Sequence, residues 1–362
     1  MRPTSLSPLR LCAALALVLA AAPAVAADSA GYTRHNLVSD GHVMADHVDP
    51  NLVNAWGIAF NPTGPVWVAN NGTGTSTIYD GSGTAVPLVV QIPTPTAAMG
   101  GNPTGMVYNG SADFVVSRGA LSGPARFIFA TEDGVIAGWA PGVDATHALR
   151  MAFAPGAIYK GLAIGACGQG GRIYATDFHH ARVDVYDTQF KRVATAPGDF
   201  VDTGIPAGFA PFGIQNINGD IYVSYARQDA AREDDVHGPG LGYVDVYTPT
   251  GHLLHRVASK GALDAPWGMA MAPAGFGRAG GGLLVGNFGD GLIHVYDPVS
   301  DQLLGSLRND AGRPIHVDGL WGLAFGNGYA GQSVDTLYFT AGPGDEAHGL
   351  YGRIEPSQGY GH

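Results

Sequence analysis

Short apolar segments alternate with Gly, Pro, Asn and Asp along most of this chain. The region from Asp264 to Asp297 shows the pattern clearly, with apolar runs at Gly268–Ala272, Leu283–Val285 and Leu292–Tyr296. The runs are rich in β-branched and aromatic residues, and turn-forming residues separate them. This arrangement predicts antiparallel strands joined by hairpins.

Two sequence marks repeat around the chain. A glycine opens an apolar strand at steps of 48, 56, 52, 55 and 54 residues, namely at Gly57, Gly105, Gly161, Gly213, Gly268 and Gly322. An aromatic residue that ends a later strand alternates with these glycines, namely Tyr79, Trp139, Tyr186, Tyr247, Tyr296 and Tyr351. A period of about 50 residues built from strands alone is typical of propeller blades. The sequence therefore predicts an all-β protein, a six-bladed β-propeller.

The two ends of the repeat predict how the ring closes. Residues 32–39 (YTRHNLVS) form an isolated strand pattern, whereas the last blade, from Trp321, has only two clear strands after its first. A propeller must close its ring, because open end blades would leave unpaired strand edges. We therefore expect the N-terminal strand to complete the last blade. In the fourth blade, residues 226–242 form a polar, acidic insert whose composition predicts a mobile loop.

Residues 1–26 have the features of a secretory signal peptide. Arg2 and Arg10 give a positive start, residues 11–22 form an apolar core, and the small residues that end at Ala26 suit signal-peptidase cleavage. The apolar core is too short for a stable membrane span. We therefore expect export to the periplasm or the extracellular space. Residues 27–362 are expected to form a single propeller domain.

Composition agrees with one large β domain and excludes some partners. The chain has 55 Gly and 24 Pro, which suits many short strands and tight turns. Its formal net charge of −11 argues against nucleic acid and against anionic membrane surfaces as partners. We expect a monomer.

Several segments resemble a known family. They are Asn54–Gly81, Phe127–Trp139, Tyr159–Gly165, Gly238–Tyr247, Leu283–Asp297 and Asp318–Gly328. These segments are similar to an uncharacterised bacterial family of exported, NHL-like six-bladed β-propellers, some of whose members carry a PEP-CTERM surface-sorting tail. The resemblance covers nearly the whole mature chain. It implies a propeller fold and export, and it implies no established reaction.

Polar residues recur where a propeller gathers its loops. The loop that enters each inner strand and the loop between strands two and three meet on one face, around the central channel. Eight polar residues occupy these positions and are the predicted ligand-binding set: Asn54, Asn102, Glu132, Lys160, Asp177, Asp264, Asn287 and Asp318. Asn and Asp are also what tight turns require, so turn formation stays an alternative interpretation of each single residue.

Part of this set has the chemistry of a metal or catalytic site. Calcium or another divalent metal takes oxygen ligands, for which the candidates are Glu132, Asp177, Asp264 and Asp318. Propeller lactonases and lyases are similar in this respect, with a metal at the channel mouth. Candidate catalytic residues are Lys160, as a base with a lowered pKa or as a holder of an anion, together with Glu132 and His179. His179 and His180 are adjacent, so on a strand they would face opposite ways.

Two classes of function stay open. In the first, an exported propeller binds a protein, a glycan or a small molecule on its loop face around the channel. In the second, it is a divalent-metal-dependent hydrolase of the lactonase type, or a lyase, acting at the channel mouth. The sequence contains no HExxH, GxSxG or phosphate-binding GxxxxGK[ST] motif, which favours the binding protein.

Overall fold

The computed structural model describes residues 31–168 and 170–357, and the predicted signal segment, residues 1–26, lies outside them. The described residues form six blades, each a sheet built on four antiparallel strands and arranged in a ring, and one separate two-stranded hairpin. The predicted six-bladed β-propeller is therefore confirmed. Strands are numbered in chain order, and the first strand of each blade lies at the channel. The chain begins with β1 (Tyr32–Ser39) and β2 (His47–Val48), which both belong to blade six.

Blades one to three contain regular strands and one added hairpin. Blade one contains β3 (Ala55–Phe60), β4 (Val66–Asn70), β5 (Thr75–Tyr79) and β6 (Val90–Gln91), with a 3-10 turn at Asn71–Thr73. Blade two contains β7 (Pro103–Tyr108), β10 (Phe127–Thr131), β11 (Val135–Trp139) and β12 (Leu149–Phe153), with a hairpin of β8 (Val115–Arg118) and β9 (Leu121–Pro124). Blade three contains β13 (Tyr159–Cys167), β14 (Gly170–Asp177), β15 (Arg182–Tyr186) and β16 (Arg192–Val193).

Blades four to six complete the ring. Blade four contains β17 (Phe209–Ile217), β18 (Asp220–Gln228), β20 (Gly242–Tyr247) and β21 (Leu253–Ser259), with the short β19 (Asp235–Val236) paired to β18. Blade five contains β22 (Pro266–Met271), β23 (Leu283–Asn287), β24 (Ile293–Tyr296) and β25 (Leu303–Ser306), with a 3-10 turn at Gly277–Ala279. Blade six contains β26 (Leu320–Phe325), β27 (Leu337–Ala341), β28 (Leu350–Pro356) and β1.

The N-terminal strand closes the ring as the sequence predicts. β1 pairs antiparallel with β28 from Tyr32 opposite Pro356 to Ser39 opposite Leu350. The Tyr32 hydroxyl also donates a hydrogen bond to the carbonyl of Phe276 at 2.9 Å, which ties β1 to blade five. The last blade therefore takes its outer strand from the start of the chain, and β28 has a paired edge.

Six glycines bring the inner strands together around the channel. A Cβ atom at Gly57 would lie 2.5 Å from the carbonyl oxygen of Thr104 in the next blade, and one at Gly322 would lie 2.7 Å from that of Trp56. The same close approach to the following blade occurs at each member of this glycine ring, which consists of Gly57, Gly105, Gly161, Gly213, Gly268 and Gly322. The regular glycine spacing in the sequence thus reflects contact between neighbouring backbones.

The alternating aromatic residues are buried between blades. Trp139 packs with Trp67 and Phe127, whose rings stack at 4.0 Å between blades one and two. Tyr351 stacks on Tyr79 at 5.5 Å between blades six and one. Large buried rings supply much of the apolar surface that such blades remove from water, which explains the second repeating mark.

Candidate functional site

The register of the strands places the predicted ligand-binding residues at one end of the blades. The start of each inner strand pairs with the end of the second strand, as in the pairs Ala55–Asn70, Pro103–Thr131, Tyr159–Asp177, Pro266–Asn287 and Leu320–Ala341. The predicted residues occupy or adjoin these positions. We call this end of the ring the loop face.

A buried lysine lies at the centre of the loop face. The Lys160 ammonium of blade three is 2.6 Å from Glu132 Oε1 of blade two and 2.9 Å from Asp234 Oδ1 of blade four. Its side chain is only 2% exposed. Glu132 also accepts a hydrogen bond from the side-chain amide of Asn71, at 2.8 Å, through its second oxygen. The structure therefore shows that Lys160 and Glu132 are in direct contact.

The electrostatic environment of Lys160 differs from the sequence expectation. Burial by itself lowers the pKa of this ammonium, but the carboxylates of Glu132 and Asp234 outweigh burial and raise the pKa above its usual value. Lys160 is thus held protonated. This environment does not favour a base with a lowered pKa, and the sequence did not show that Glu132 and Asp234 contact the ammonium.

Lys160, Glu132, Asp234 and Asn71 form the lysine cluster, and Asn54 connects this cluster to blade six. The Asn54 side-chain amide donates to Glu346 Oε2 at 2.6 Å and to Asn71 Oδ1 at 3.3 Å. Its carbonyl oxygen accepts a hydrogen bond from the indole of Trp321 at 3.1 Å. Burial raises the pKa of Glu346, and the hydrogen bond from Asn54 offsets part of this rise. Asn102 joins the edge of the network through a long hydrogen bond to the carbonyl of Asn71, at 3.4 Å.

Asp235 brings a further carboxylate close to these groups. Its side chain is 8% exposed, and its Oδ2 atom is buried without a hydrogen-bond donor among the described residues. His237 Nδ1 lies 3.8 Å from that oxygen. Burial raises the pKa of Asp235 to about 7, although the nearby Lys160 and His237 lower it in part. Asp235 can therefore exchange a proton near neutral pH. We call Glu132, Lys160, Asp234, Asp235 and Glu346 the acidic pocket.

Three tryptophans close the channel beneath the acidic pocket. Trp56 and Trp321 stack with their ring centroids 3.6 Å apart, and Trp267 meets Trp56 edge-on at 6.0 Å. The Trp267 indole donates a hydrogen bond to the main-chain carbonyl of Lys160 at 2.9 Å, from blade five to blade three. The Lys160 ammonium lies 5.3 Å from the ring centroid of Trp56. These three residues, the aromatic plug, pack together in one buried cluster.

The other predicted ligand-binding residues make separate contacts. Asp264 Oδ1 accepts a hydrogen bond from the backbone of Gly238 at 2.6 Å, and burial raises the pKa of Asp264. The Asn287 side chain donates to the carbonyl of Ala262 at 2.8 Å. Asp318 is exposed and accepts a hydrogen bond from the backbone of Gly344 at 3.0 Å. These residues stabilise loops of the same face, and their hydrogen bonds to other described residues do not reach the lysine cluster.

The third blade holds its own ion-paired turn. Asp177 is fully buried, and its Oδ2 lies 2.8 Å from His180 Nδ1 and 2.9 Å from a nitrogen of Arg182. His180 is thus a turn residue. The predicted catalytic candidate His179 has a buried Nδ1 without a hydrogen-bond partner among the described residues.

The predicted metal ligands do not assemble into a cation site. Glu132 contacts Lys160, Asp177 contacts His180 and Arg182, and Asp264 and Asp318 cap backbone N–H groups. The described part of the chain contains no group of three or more His, Cys, Asp or Glu residues that could hold a metal ion. The carboxylates at these positions instead have protein partners.

Sequence reasoning missed three carboxylates of the acidic pocket. Asp234 and Asp235 belong to the insert of blade four, where β19 pairs Asp235 with Gln228. The insert is tied to the channel mouth by this pairing and by the Asp234–Lys160 ion pair, whereas its composition suggested a mobile loop. Glu346 lies in the loop that follows the second strand of blade six. The unusual length of the insert was the one available signal.

Fold and site together define a six-bladed β-propeller with an acidic pocket at its loop face. No protein-family model matches the sequence. Two uncharacterized proteins of Acanthamoeba polyphaga mimivirus are each 32% identical to it. One aligns over 327 residues, which cover 88% of this chain and 78% of the relative, and the other over 331 residues, which cover 89% and 85%. The chain belongs to the family of these viral proteins.

Solved structures with other activities share the architecture. A streptogramin B lyase aligns with a TM-score of 0.52 at 11% identity, over 90% of this chain and 97% of the lyase. The soluble aldose sugar dehydrogenase of Escherichia coli aligns with a TM-score of 0.53 at 12% identity, over 90% of this chain and 100% of the dehydrogenase. Likeness at such identity shows the fold alone. No helix in the described ranges is long and apolar enough to cross a membrane.

Proposed function

We propose that this protein binds a small, positively charged ligand, an organic amine, in the acidic pocket at the loop-face mouth of its channel. The observation that carries this proposal is the excess of carboxylates. Glu132, Asp234, Asp235 and Glu346 gather around a single ammonium, that of Lys160. Lys160 neutralises one negative charge, so the pocket keeps a negative potential that attracts cations.

The buried oxygen of Asp235 supports an ammonium as the bound group. Asp235 Oδ2 has no hydrogen-bond donor among the residues described. A buried carboxylate oxygen that accepts no hydrogen bond is costly, even with His237 Nδ1 at 3.8 Å, and an ammonium group of a ligand would supply both a donor and a compensating charge.

We also propose that binding takes place outside the cytoplasm. This part of the proposal rests on residues 1–26, which have the features of a signal peptide. An exported protein that holds a small amine on a rigid ring would serve as a binding protein. The sequence motifs of common hydrolases are absent, which agrees with this role.

Calorimetric titration with spermidine tests the proposal. The titration is done in 0.15 M NaCl, where general attraction between separated charges is screened beyond about 8 Å. We expect saturable binding to the wild-type protein and at least a tenfold loss of affinity in Asp235→Asn and in Glu346→Gln. The matched control is Glu233→Gln, which removes the same charge from an exposed position of the insert. Its affinity should stay within twofold of the wild type.

Two results would contradict the proposal. Equal loss in all three variants would show that spermidine responds to net charge alone. Absence of saturable spermidine binding, with tight stoichiometric binding of Ca²⁺, would instead support the divalent-metal-dependent hydrolase or lyase.

A further inference from the structure

A cavity opens at the end of the ring opposite the loop face. Its volume is about 480 Å³. Each of the six inner strands contributes to its wall. One lining residue from each strand, in blade order, is Ile58, Met106, Ile164, Gln215, Met271 and Phe325. These residues follow the glycine ring in every inner strand, whereas the acidic pocket precedes it. The cavity and the acidic pocket residues therefore lie at opposite ends of one channel.

The cavity is a blind recess. Between it and the aromatic plug, at the level of the glycine ring, the channel narrows to a void of about 30 Å³ that Trp267 helps to line. Such a volume holds about one or two water molecules. A ligand entering from this end would be stopped at the glycine ring, so the cavity has the shape of a binding pocket.

The wall of the cavity is uncharged. Among the described residues that line it there is no Asp, Glu, Lys, Arg or His, although 14% of the chain is charged. Its side chains are mainly aliphatic and aromatic, with amides at Gln215, Asn216 and Asn218, and together with main-chain groups these amides make about half of the exposed lining polar. Asn216 already donates to the carbonyl of Ile164 at 2.9 Å, while Gln215 is exposed and lines both the cavity and the narrow void. Gln215 thus places one amide at the inner end of the cavity, beside the narrow void.

We propose that this cavity binds a neutral, mainly apolar small molecule whose single polar group is hydrogen-bonded by the Gln215 amide. The volume falls within the range of about 300 to 1,000 Å³ that is usual for small-molecule pockets, and a wall of mainly apolar side chains with few polar ones is typical of them. An ion is disfavoured because no side chain in the wall could compensate its charge. The proposal is independent of the amine site, since the aromatic plug separates the cavity from the acidic pocket.

Fluorescence titration with N-phenyl-1-naphthylamine, a neutral apolar probe, tests this site. We expect saturable one-to-one binding to the wild-type protein. Gln215→Trp should weaken it at least tenfold by filling the recess, and Ala324→Phe, which changes the wall in blade six, provides a second blocking variant. The matched control is Gln189→Trp, the same change at an exposed turn, which should leave binding within twofold of the wild type. Circular dichroism confirms that each variant is folded.

The outcomes separate this site from surface adsorption and from the amine site. Equal binding of the probe by the wild type and by both folded blocking variants would overturn the proposal. Equally tight binding of anionic 1-anilinonaphthalene-8-sulfonate would overturn the claim of a neutral ligand. Asp235→Asn should leave the naphthylamine titration unchanged even if spermidine binding is lost, and a change in it would contradict the independence of the two sites.

Discussion

Asp234 and Lys160 come from different blades, and their side chains meet at 2.9 Å. Asp234 is 72% exposed, whereas Lys160 is 2% exposed. The ion pair thus joins a surface insert to a buried cation at the channel mouth. Removal of Lys160 should therefore destabilise the protein much more than removal of Asp234.

Lys160→Met should destabilise the protein by about 3 kcal/mol, because it leaves the half-buried Glu132 without its cation. Asp234→Asn should lower the free energy of unfolding by less than about 1 kcal/mol, because Lys160 stays paired with Glu132 and Asp234 is exposed. Urea unfolding measures both changes. Lys191→Met, at an exposed turn, is the matched control and should stay within about 0.5 kcal/mol of the wild type. Wild-type stability in Lys160→Met would show that the ion pair has no structural role.

Asp235 should make stability depend on pH. Its folded-state pKa of about 7 lies above the usual value for an Asp, so the folded protein holds an extra proton between about pH 4 and 7. The contribution of Asp235 to the free energy of unfolding is fully present below about pH 4 and is lost as the pH rises to about 7. Asp235→Asn should therefore raise the free energy of unfolding by about 2 to 4 kcal/mol at pH 8 and change it little at pH 4.

Thermal unfolding at several pH values checks this prediction. Burial also raises the pKa of Asp245, to about 6, despite the nearby Arg256. Its effect on the pH dependence of stability is the same in the wild type and in Asp235→Asn, so it cancels in the comparison. The exposed Glu233→Gln should follow the wild-type curve. A constant difference between Asp235→Asn and the wild type from pH 4 to pH 8 would contradict the assignment.

The glycine ring should tolerate no side chain. A Cβ atom at Gly213 would overlap the main chain of Trp267 in the next blade, so Gly213→Ala should cost more than about 3 kcal/mol or prevent folding. Gly142→Ala is the matched control, because its Cβ would meet no atom within 4 Å. Soluble yield and urea unfolding of the two variants give the comparison. Equal stability of the two would mean that the blades can separate enough to admit a methyl group.

The fold could be predicted from sequence because the same physical contact recurs in every blade. Gly57 and its equivalents must be glycine where inner strands touch, and Tyr351 and its equivalents must be large where blades pack. Both requirements leave a mark with a regular period. The closing strand could be predicted too, since an unpaired strand and an incomplete blade stood at opposite ends of the repeat.

The site could be predicted only in part. Asn54, Asn102, Glu132 and Lys160 hold positions that the repeat defines, and the structure brings them into one network. Asp234 and Asp235 lie in an insert that occurs in one blade, so no period relates them to Lys160. Their contact depends on how the insert folds back over the channel, which local sequence pattern does not determine.

Spermidine affinity measured at pH 6 and at pH 8 tests the acidic pocket most directly. Asp235 titrates at about pH 7 in the folded protein, so its negative charge is mostly absent at pH 6 and mostly present at pH 8. We predict that wild-type affinity rises about tenfold between these values, whereas Asp235→Asn shows little change. Equal wild-type affinity at both pH values, or the same rise in Asp235→Asn, would contradict amine binding at this carboxylate.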